Sequence, residues 1–428
     1  MDMRIDQACS DSTRPFTPLE RLLRKHLLAR LVQLQGCRLT LRDALGVTHF
    51  GDAAGTHGDP LEATITVRDP AFYRAVAAQG STGAGEAFID GAWQCDDLVA
   101  LIRILVRNRD TLDRMESGPA RLGGMALRAW HALRRNTRGG SRRNIAAHYD
   151  IGNELFALFL DRSLMYSSAI YTHQDEPLDV AAERKLDRIC RKLDLSAGDH
   201  VLEIGTGWGG FAIHAASRHG CRVTTTTISR EQYELARQRV AEAGLEDRVT
   251  VLLDDYRDLE GRYDKLVSIE MIEAIGHAYQ DTYFKTVQRL LKPDGLALIQ
   301  AITIEDRRYR QARRSVDYIK RFIFPGSFIP CVSGMLSSVG RRTDLRLLNL
   351  EDIGPSYAQT LHAWRERFVE HLADVRALGY DERFVRMWLF YLAYCEGGFL
   401  ERSIGDVQML FARPGNRRPQ WLPAPDQA

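Results

Sequence analysis

Residues 200–210 read His-Val-Leu-Glu-Ile-Gly-Thr-Gly-Trp-Gly-Gly. Val201, Leu202 and Ile204 suit a buried strand, the glycines from Gly205 onward require a tight turn, and residues 210–217 have helical spacing. Strand, glycine turn and helix in that order set backbone N–H groups and the positive end of a helix beside a ligand. Gly205, Gly207 and Gly210 also satisfy G-x-G-x-x-G, a pattern shared with dinucleotide enzymes. The surrounding chain must therefore name the ligand.

From Leu195 onward, strand and helix patterns alternate, which predicts a doubly wound, mostly parallel α/β sheet. Further strands are read at 222–227, 249–253, 265–269 and 296–302, with helices at 229–243 and 281–291. The turn Lys292-Pro293-Asp294-Gly295 introduces the 296–302 strand. A basic helix over 307–322, an apolar loop over 323–332, helices over 357–372 and 381–399, and a strand over 405–412 follow. Ahead of the sheet, leucines at 19, 22, 23, 27, 31 and 34 form the stripe of an amphipathic helix over 18–34. That helix either covers a small domain or docks on a membrane. Strands at 38–41 and 61–67, helices at 70–77 and 99–107, and a turn-rich stretch at 85–98 complete a smaller α+β domain. The division expected is a disordered tail (1–15), the N-terminal α+β domain (16–127), a basic linker (128–143), the α/β domain (144–415) and a tail (416–428).

A length of 428 residues allows two or three domains, and a net charge of +2 makes no demand for a nucleic-acid partner. The seven cysteines are scattered without metal-ligand spacing, as expected of reduced thiols in the cytoplasm. No secretory signal is read at the N-terminus, and no apolar run reaches the roughly 18–20 residues that span a bilayer. Any membrane encounter is then peripheral, at the inner face. The segment 128–143 serves as a solvated linker or as a handle for anionic headgroups, where each basic residue is worth about 1 kcal/mol.

A nicotinamide enzyme offers an acidic residue about 20 positions past its first glycine. Here that place holds Thr224-Thr225-Thr226-Thr227, and the acid, Glu203, precedes the turn instead. The arrangement E-x-G-x-G resembles motif I of the S-adenosylmethionine-dependent methyltransferases, a Rossmann-like fold. That resemblance puts the Glu203 carboxylate near the cofactor's polar end, with Gly205 and Gly207 admitting its body. Gln232, in Ser229-Arg230-Glu231-Gln232, either contacts the cofactor or completes a helix cap. Asp255 and Tyr256 end the third strand, where the fold places the adenine. Each could otherwise be loop structure.

Several stretches together resemble the cyclopropane-fatty-acid synthase family, which includes the mycolic-acid cyclopropane synthases. They are NIAAHYDIGNELF (144–156), LMYSSAIY (164–171), VLEIGTGWGG, ISREQ, VSIEMIEAIG, KRFIFPG and GPSYAQTL. The stretch GEAFIDGAWQCDDL (85–98) is similar to the N-terminal domain of the longer members. The resemblance implies transfer of a methyl carbon from S-adenosylmethionine to the cis double bond of an unsaturated phospholipid's acyl chain, forming a cyclopropane. It leaves homodimerisation open. Tyr166, Ser167 and Thr227 join the cofactor side. His148, Tyr149, Tyr318 and Phe322 join the substrate side, with residues near 319–324 as a helical lid. Aromatic faces, among them Tyr166, Tyr171, Trp208 and Tyr318, can stabilise sulfonium and carbocation. Each of these aromatics is otherwise plain core.

The family holds a bicarbonate ion as proton acceptor, using a Cys, a Glu, a His and a Tyr. Carried over, the Glu and Tyr are Glu273 and Tyr357, while Ser168 stands at the Cys position and Gln300 at the His position. Glutamine donates a hydrogen bond but does not shuttle a proton near neutral pH. Either Gln300 still positions bicarbonate beside Glu273, giving a cyclopropane, or slower deprotonation allows a hydride shift and a methylene branch. Addition of hydride from outside would give a methyl branch. An inactive lipid-binding relative is the non-enzyme alternative, against which the presence of Glu203, Gly205, Gly207, Glu273 and Tyr357 weighs.

Overall fold

The computed structural model describes residues 14–52, 61–114 and 152–419. Two compact units divide the chain, and each is built from separate segments. The first takes the chain up to Leu133 together with Arg314–Ile323 and Leu372–Ser403, and the second takes the rest. The basic segment 128–143, His148 and Tyr149 lie outside the described residues.

In the first unit, α1 (Pro18–Leu31) begins at a reciprocal cap between Thr17 and Glu20. The leucine stripe read from sequence is buried only towards its C-terminal end, with Leu31 and Leu34 buried and Leu23 and Leu27 half-buried. Glu20 and Leu31 are buried, whereas Leu19 and Leu22 are about half exposed, because the Glu20 carboxylate is turned inward by Arg14 and the Thr17 backbone N–H. Strands β1 (Cys37–Asp43), β2 (Gly46–Phe50), β3 (Leu61–Val67) and β4 (Trp93–Cys95) form one sheet in the order β2-β1-β3-β4. Helix α2 spans Ala71–Ile89. It overruns the turn expected from residue 85, because non-helical backbone at Gly80 resets the axis and a second helical run follows. Helix α3 (Leu98–Arg107) is capped by Asp97, and α4 covers Arg109–Arg114.

In the second unit, α5 (Asn153–Phe159) and α6 (Leu178–Leu193) precede β5 (His200–Ile204). Then come α7 (Gly210–His219), β6 (Arg222–Thr226), α8 (Arg230–Glu242), β7 (Val249–Leu252), β8 (Tyr263–Ile269), α9 (Gln280–Leu290) and β9 (Leu291–Ile304). Strand β9 starts before the turn expected at 292–295, since Leu291 already pairs with Tyr263 and a register shift absorbs the intervening residues. The basic helix α10 stops at Arg314 (Asp306–Arg314), and a separate π-helical turn at Ile319–Ile323 takes up the rest of the segment read as one helix. Helix α11 (Val332–Arg342) and strand β10 (Arg346–Asp352) have no counterpart in the sequence reading. Helix α12 (Gly354–Glu370) follows, and β11 (Ile404–Ala412) is the last described strand.

The second sheet has seven strands in the order β10-β11-β9-β8-β5-β6-β7. Strands β7, β6, β5, β8 and β9 run parallel, and β11 runs antiparallel between β9 and β10. Both faces are apolar, as a parallel sheet covered by helices requires. Leu202 and Ile204 pack with Phe284 of α9 and Met335 of α11, and Val201 packs on the opposite face with Ile189 of α6 and Phe211 of α7. Strand order reverses at β5, flanked by β6 and β8, and open α/β sheets bind ligands outside the carboxyl ends of the strands at such a switch. The glycine turn sits there.

Candidate active site

The turn after β5 is pinned to its neighbour: the N–H groups of Gly205 and Thr206 both donate to the Thr226 carbonyl at 3.0 Å. Gly205 has φ +101°, and a Cβ there would stand 3.2 Å from Met271 Cγ. A Cβ on Gly210 would fall 2.5 Å from the Ser163 carbonyl oxygen. The loop 163–168 therefore closes directly onto the start of α7.

Glu203 lies beneath this turn, buried, with Oε2 accepting from Thr225 Oγ1 at 2.6 Å. The Thr225 hydroxyl also meets Thr206 Oγ1 at 2.7 Å, linking strand, neighbour and turn. Burial pushes the Glu203 carboxyl up to about 8, against the opposing pull of Thr225 and Lys185. Thr227 Oγ1 donates to Gln232 Oε1 at 2.8 Å, and Ser229 caps α8 through the Gln232 N–H at 3.3 Å. The Gln232 side chain thus faces Thr227 rather than closing a reciprocal cap. Both Asp255 oxygens are taken by Arg257, at 2.8 and 2.5 Å. Tyr256 packs edge-on against Tyr283, and its buried hydroxyl has no hydrogen-bond partner among the described residues.

Beside the turn is a nest of aromatic rings. Tyr166 lies 5.1 Å from Phe156, 5.3 Å from Trp364 and 6.3 Å from Phe324, centroid to centroid. Trp208 joins through Phe156 at 4.9 Å and donates to Asn153 Oδ1 at 2.6 Å. Ser167 accepts at 2.9 Å from the wholly buried Lys185 of α6, whose ammonium burial pulls down to about 8.

The centre of the polar cluster is Glu270, a residue the motif reading passed over. Its Oε1 accepts from the Ser168 backbone N–H at 2.9 Å and from Gln300 Nε2 at 2.8 Å. Its Oε2 accepts from the Tyr357 hydroxyl at 2.7 Å. Gln300 Nε2 also donates to Asp406 Oδ2 at 2.9 Å. Gln300 Nε2 thus bridges the two carboxyls, and burial together with the Glu270 charge pushes Asp406 well above the usual carboxylate range. Burial raises Glu270 above its ordinary value, against the opposing pull of Tyr357, Ser168 and Lys185. Ser168 offers its N–H and not its hydroxyl, which donates to Ala169 O at 2.9 Å. Glu273 accepts the Ile302 N–H on Oε1 at 2.5 Å, while its Oε2 is buried with no hydrogen-bond partner among the described residues. Burial and the neighbouring Glu270 raise Glu273 to about 8. The structure thus gathers Ser168, Gln300 and Tyr357 around Glu270, with Glu273 one short turn further along the chain.

Glu270, Asp406 and Lys185 were missed for a physical reason each. Asp406 reaches Gln300 only through antiparallel pairing of β11 with β9, which a local pattern does not reveal. Lys185 lies on the buried apolar stripe of α6 with Ala181, Ala182 and Ile189, where a lysine is ordinarily read as a solvated charge. Glu270 left a usable signal, an acid at the carboxyl end of β8 beside the glycine turn. Tyr318 belongs to the first unit's core, its ring 4.6 Å from Phe390 and its hydroxyl donating to Met387 O at 2.9 Å. Phe322, 5.1 Å from Tyr318, lies in the same unit.

A seven-stranded sheet of this order with a glycine turn at its switch point is that of a class I S-adenosylmethionine-dependent methyltransferase. The chain belongs to the mycolic acid cyclopropane synthetase family, whose sequence profile matches residues 136–409. Tuberculostearic acid methyltransferase UfaA1 of Mycobacterium tuberculosis is 37% identical over 420 residues, covering 94% of this chain and 93% of that protein. Cyclopropane-fatty-acyl-phospholipid synthase of Escherichia coli is 37% identical over 354 residues, covering 82% and 88%. The cyclopropane synthase MmaA2 of Mycobacterium tuberculosis superposes with a TM-score of 0.59 at 27% identity, covering 63% of this chain and 98% of that one. Coclaurine N-methyltransferase, at 19% identity and a TM-score of 0.60, shares the fold. The protein is an S-adenosylmethionine-dependent methyltransferase.

Proposed function

We propose that this enzyme methylates the cis double bond of an unsaturated acyl chain in a phospholipid and then releases a proton, closing a cyclopropane ring. The observation that carries the reading is the buried carboxyl cluster of Glu270, Glu273 and Asp406 lying alongside aromatic rings at the glycine turn. An alkene is a weak nucleophile, and its methylation needs a water-poor, cation-tolerant site with a base in reach. S-adenosylmethionine supplies the electrophilic methyl when bound. Gly205, Gly207, Thr227, Gln232 and Tyr256 suit it: the glycines leave room for backbone approach, and the buried Tyr256 hydroxyl has no hydrogen-bond partner among the described residues. Asp255, held by Arg257, and Glu203, held by Thr225, shape the loops around them and are assigned positioning roles. Tyr166 and Trp208 offer ring faces for cationic groups.

A second reading is a methylene-branched product, favoured by Gln300. Its amide is committed to Glu270, Asp406 and Gln408, and it has no titrating group of its own. We assign membrane encounter to the surface: no helix among the described residues is long and apolar enough to cross a bilayer, and α10 carries five arginines with no buried side chain. Proton NMR of monounsaturated phospholipid vesicles after incubation with enzyme and S-adenosylmethionine tests the proposal. Upfield ring protons are expected. Downfield exocyclic methylene protons would select the second reading, and neither signal would reject both.

A further inference from the structure

The family resemblance assigns positions 168, 273, 300 and 357 to one bicarbonate ion. In this chain three of those positions direct their donors at a side chain. The Ser168 N–H, Gln300 Nε2 and Tyr357 Oη all end on Glu270, at 2.9, 2.8 and 2.7 Å. The orientation of the Gln300 amide is fixed from behind. Lys192 Nζ, which can only donate, holds Gln408 Oε1 at 2.9 Å, and Gln408 Nε2 holds Gln300 Oε1 at 3.1 Å. Nε2 is therefore the end that faces Glu270. The fourth position, Glu273, is a carboxyl whose Oε1 accepts the Ile302 N–H. A bicarbonate ion does not fit this set: the Ser168, Gln300 and Tyr357 donors that would hold an anion already end on the Glu270 carboxyl.

The backbone supports the same conclusion. Glu270 has φ +47°, one of four non-glycine residues with positive φ among those described. Such a conformation is disfavoured outside glycine and persists where surrounding contacts over-determine it. Here three groups hold the carboxyl that the strained backbone presents.

We infer that Glu270 is the enzyme's own proton acceptor, its carboxylate standing where relatives would hold a diffusible bicarbonate. The inference rests on the alkene-methylation reading. Methyl transfer leaves a carbocation on the acyl chain. A C–H bond of the new methyl group then breaks, its electron pair forms the carbon–carbon bond that closes the ring, and the proton passes to Glu270 Oε2. After a hydride shift the same electron pair would form the methylene double bond. Cation and carboxylate become neutral product and carboxylic acid.

Lipid methylation is measured in carbonate-free buffer and with added bicarbonate, for the wild type, Glu270→Gly and Glu270→Gln. Wild-type turnover is expected to be the same in both buffers. Glu270→Gly, which relieves the strained backbone, is expected to lose about 100-fold or more and to recover part of it with bicarbonate, whereas Glu270→Gln is not rescued. A wild type that needs bicarbonate overturns the inference and leaves the function intact. Carbon-13 NMR of labelled bicarbonate with the enzyme saturated in S-adenosylhomocysteine decides the matter without turnover. Line broadening is expected with Glu270→Gly and not with the wild type, and the reverse overturns the inference. A wild type forming no lipid product in either buffer rejects the functional reading instead.

Discussion

The Thr225 hydroxyl donates to Glu203 Oε2 at 2.6 Å, joining the facing residues of two parallel strands directly under the glycine turn. The acid of motif I thus acts on the turn from below. Its carboxyl is raised to about 8 from an ordinary 4.5, so between those values the folded protein keeps a proton that the unfolded chain has lost. Stability therefore falls as pH rises through that window. Glu203→Gln is expected to reduce the slope by up to about 1.4 kcal/mol per pH unit. Urea unfolding at several pH values between about 5 and 8 checks this; an unchanged slope would place the titration elsewhere.

Glu273 places a buried carboxyl oxygen, without a hydrogen-bond partner among the described residues, beside Glu270. With the carboxyl raised to about 8, its ionised form is gained as pH rises through that value, and once ionised that oxygen stabilises a developing cation better than a neutral group of the same shape. Glu273→Gln should lower turnover about 100-fold while the S-adenosylmethionine dissociation constant, read by calorimetry, changes little. Equal loss of binding and turnover would assign Glu273 to cofactor contact.

Two glycine-to-alanine substitutions should have opposite signs. At Gly210 the new methyl would lie 2.5 Å from the Ser163 carbonyl oxygen and 2.8 Å from Met165 Sδ. A destabilisation of about 1–3 kcal/mol is expected, with weaker cofactor binding as the 163–168 loop is pushed off. At Gly340, in α11, nothing lies within 4 Å of the added atom, and alanine should stabilise by about 0.5–1 kcal/mol. Thermal melts of both variants decide.

Trp364 is wholly buried and contacts Tyr166, Phe159 and Tyr357 at ring distances of 5.3, 6.1 and 6.1 Å. Trp364→Ala should cost about 3–5 kcal/mol. Trp364→Phe should keep the fold while raising KM for lipid more than it lowers kcat.

The parallel strands are legible because they are short runs of apolar or β-branched residues bounded by turn residues, as in Val201–Ile204 and the threonines of β6. Leu61–Val67 and the β5 turn fell where the pattern put them. Helix α2 was cut short because Gly80 looks like a terminus and behaves as a kink. The segment after Arg314 was read as one helix because its charge and aromatic spacing stay periodic while its hydrogen bonding shifts to a π turn. In the site, Ser168, Gln300 and Tyr357 were found as positions, and what they face was not. Family motifs mark the donors, and the acceptor here is a side chain on a left-handed backbone at Glu270, which no local rule anticipates.

Strand β11 is inserted between β9 and β10 and delivers Asp406 and Gln408 to the Gln300 side of the cluster. During synthesis, β9 emerges from the ribosome about a hundred residues ahead of the strand that covers it. Until Ile404–Ala412 arrives, β9 and β10 each expose an unpaired ladder, and Gln300 lacks the partners that fix its amide. A message cut short before codon 404 would thus yield a chain with an aggregation-prone open sheet and an unassembled proton acceptor. Completion of the catalytic cluster and protection of the sheet happen in one late event.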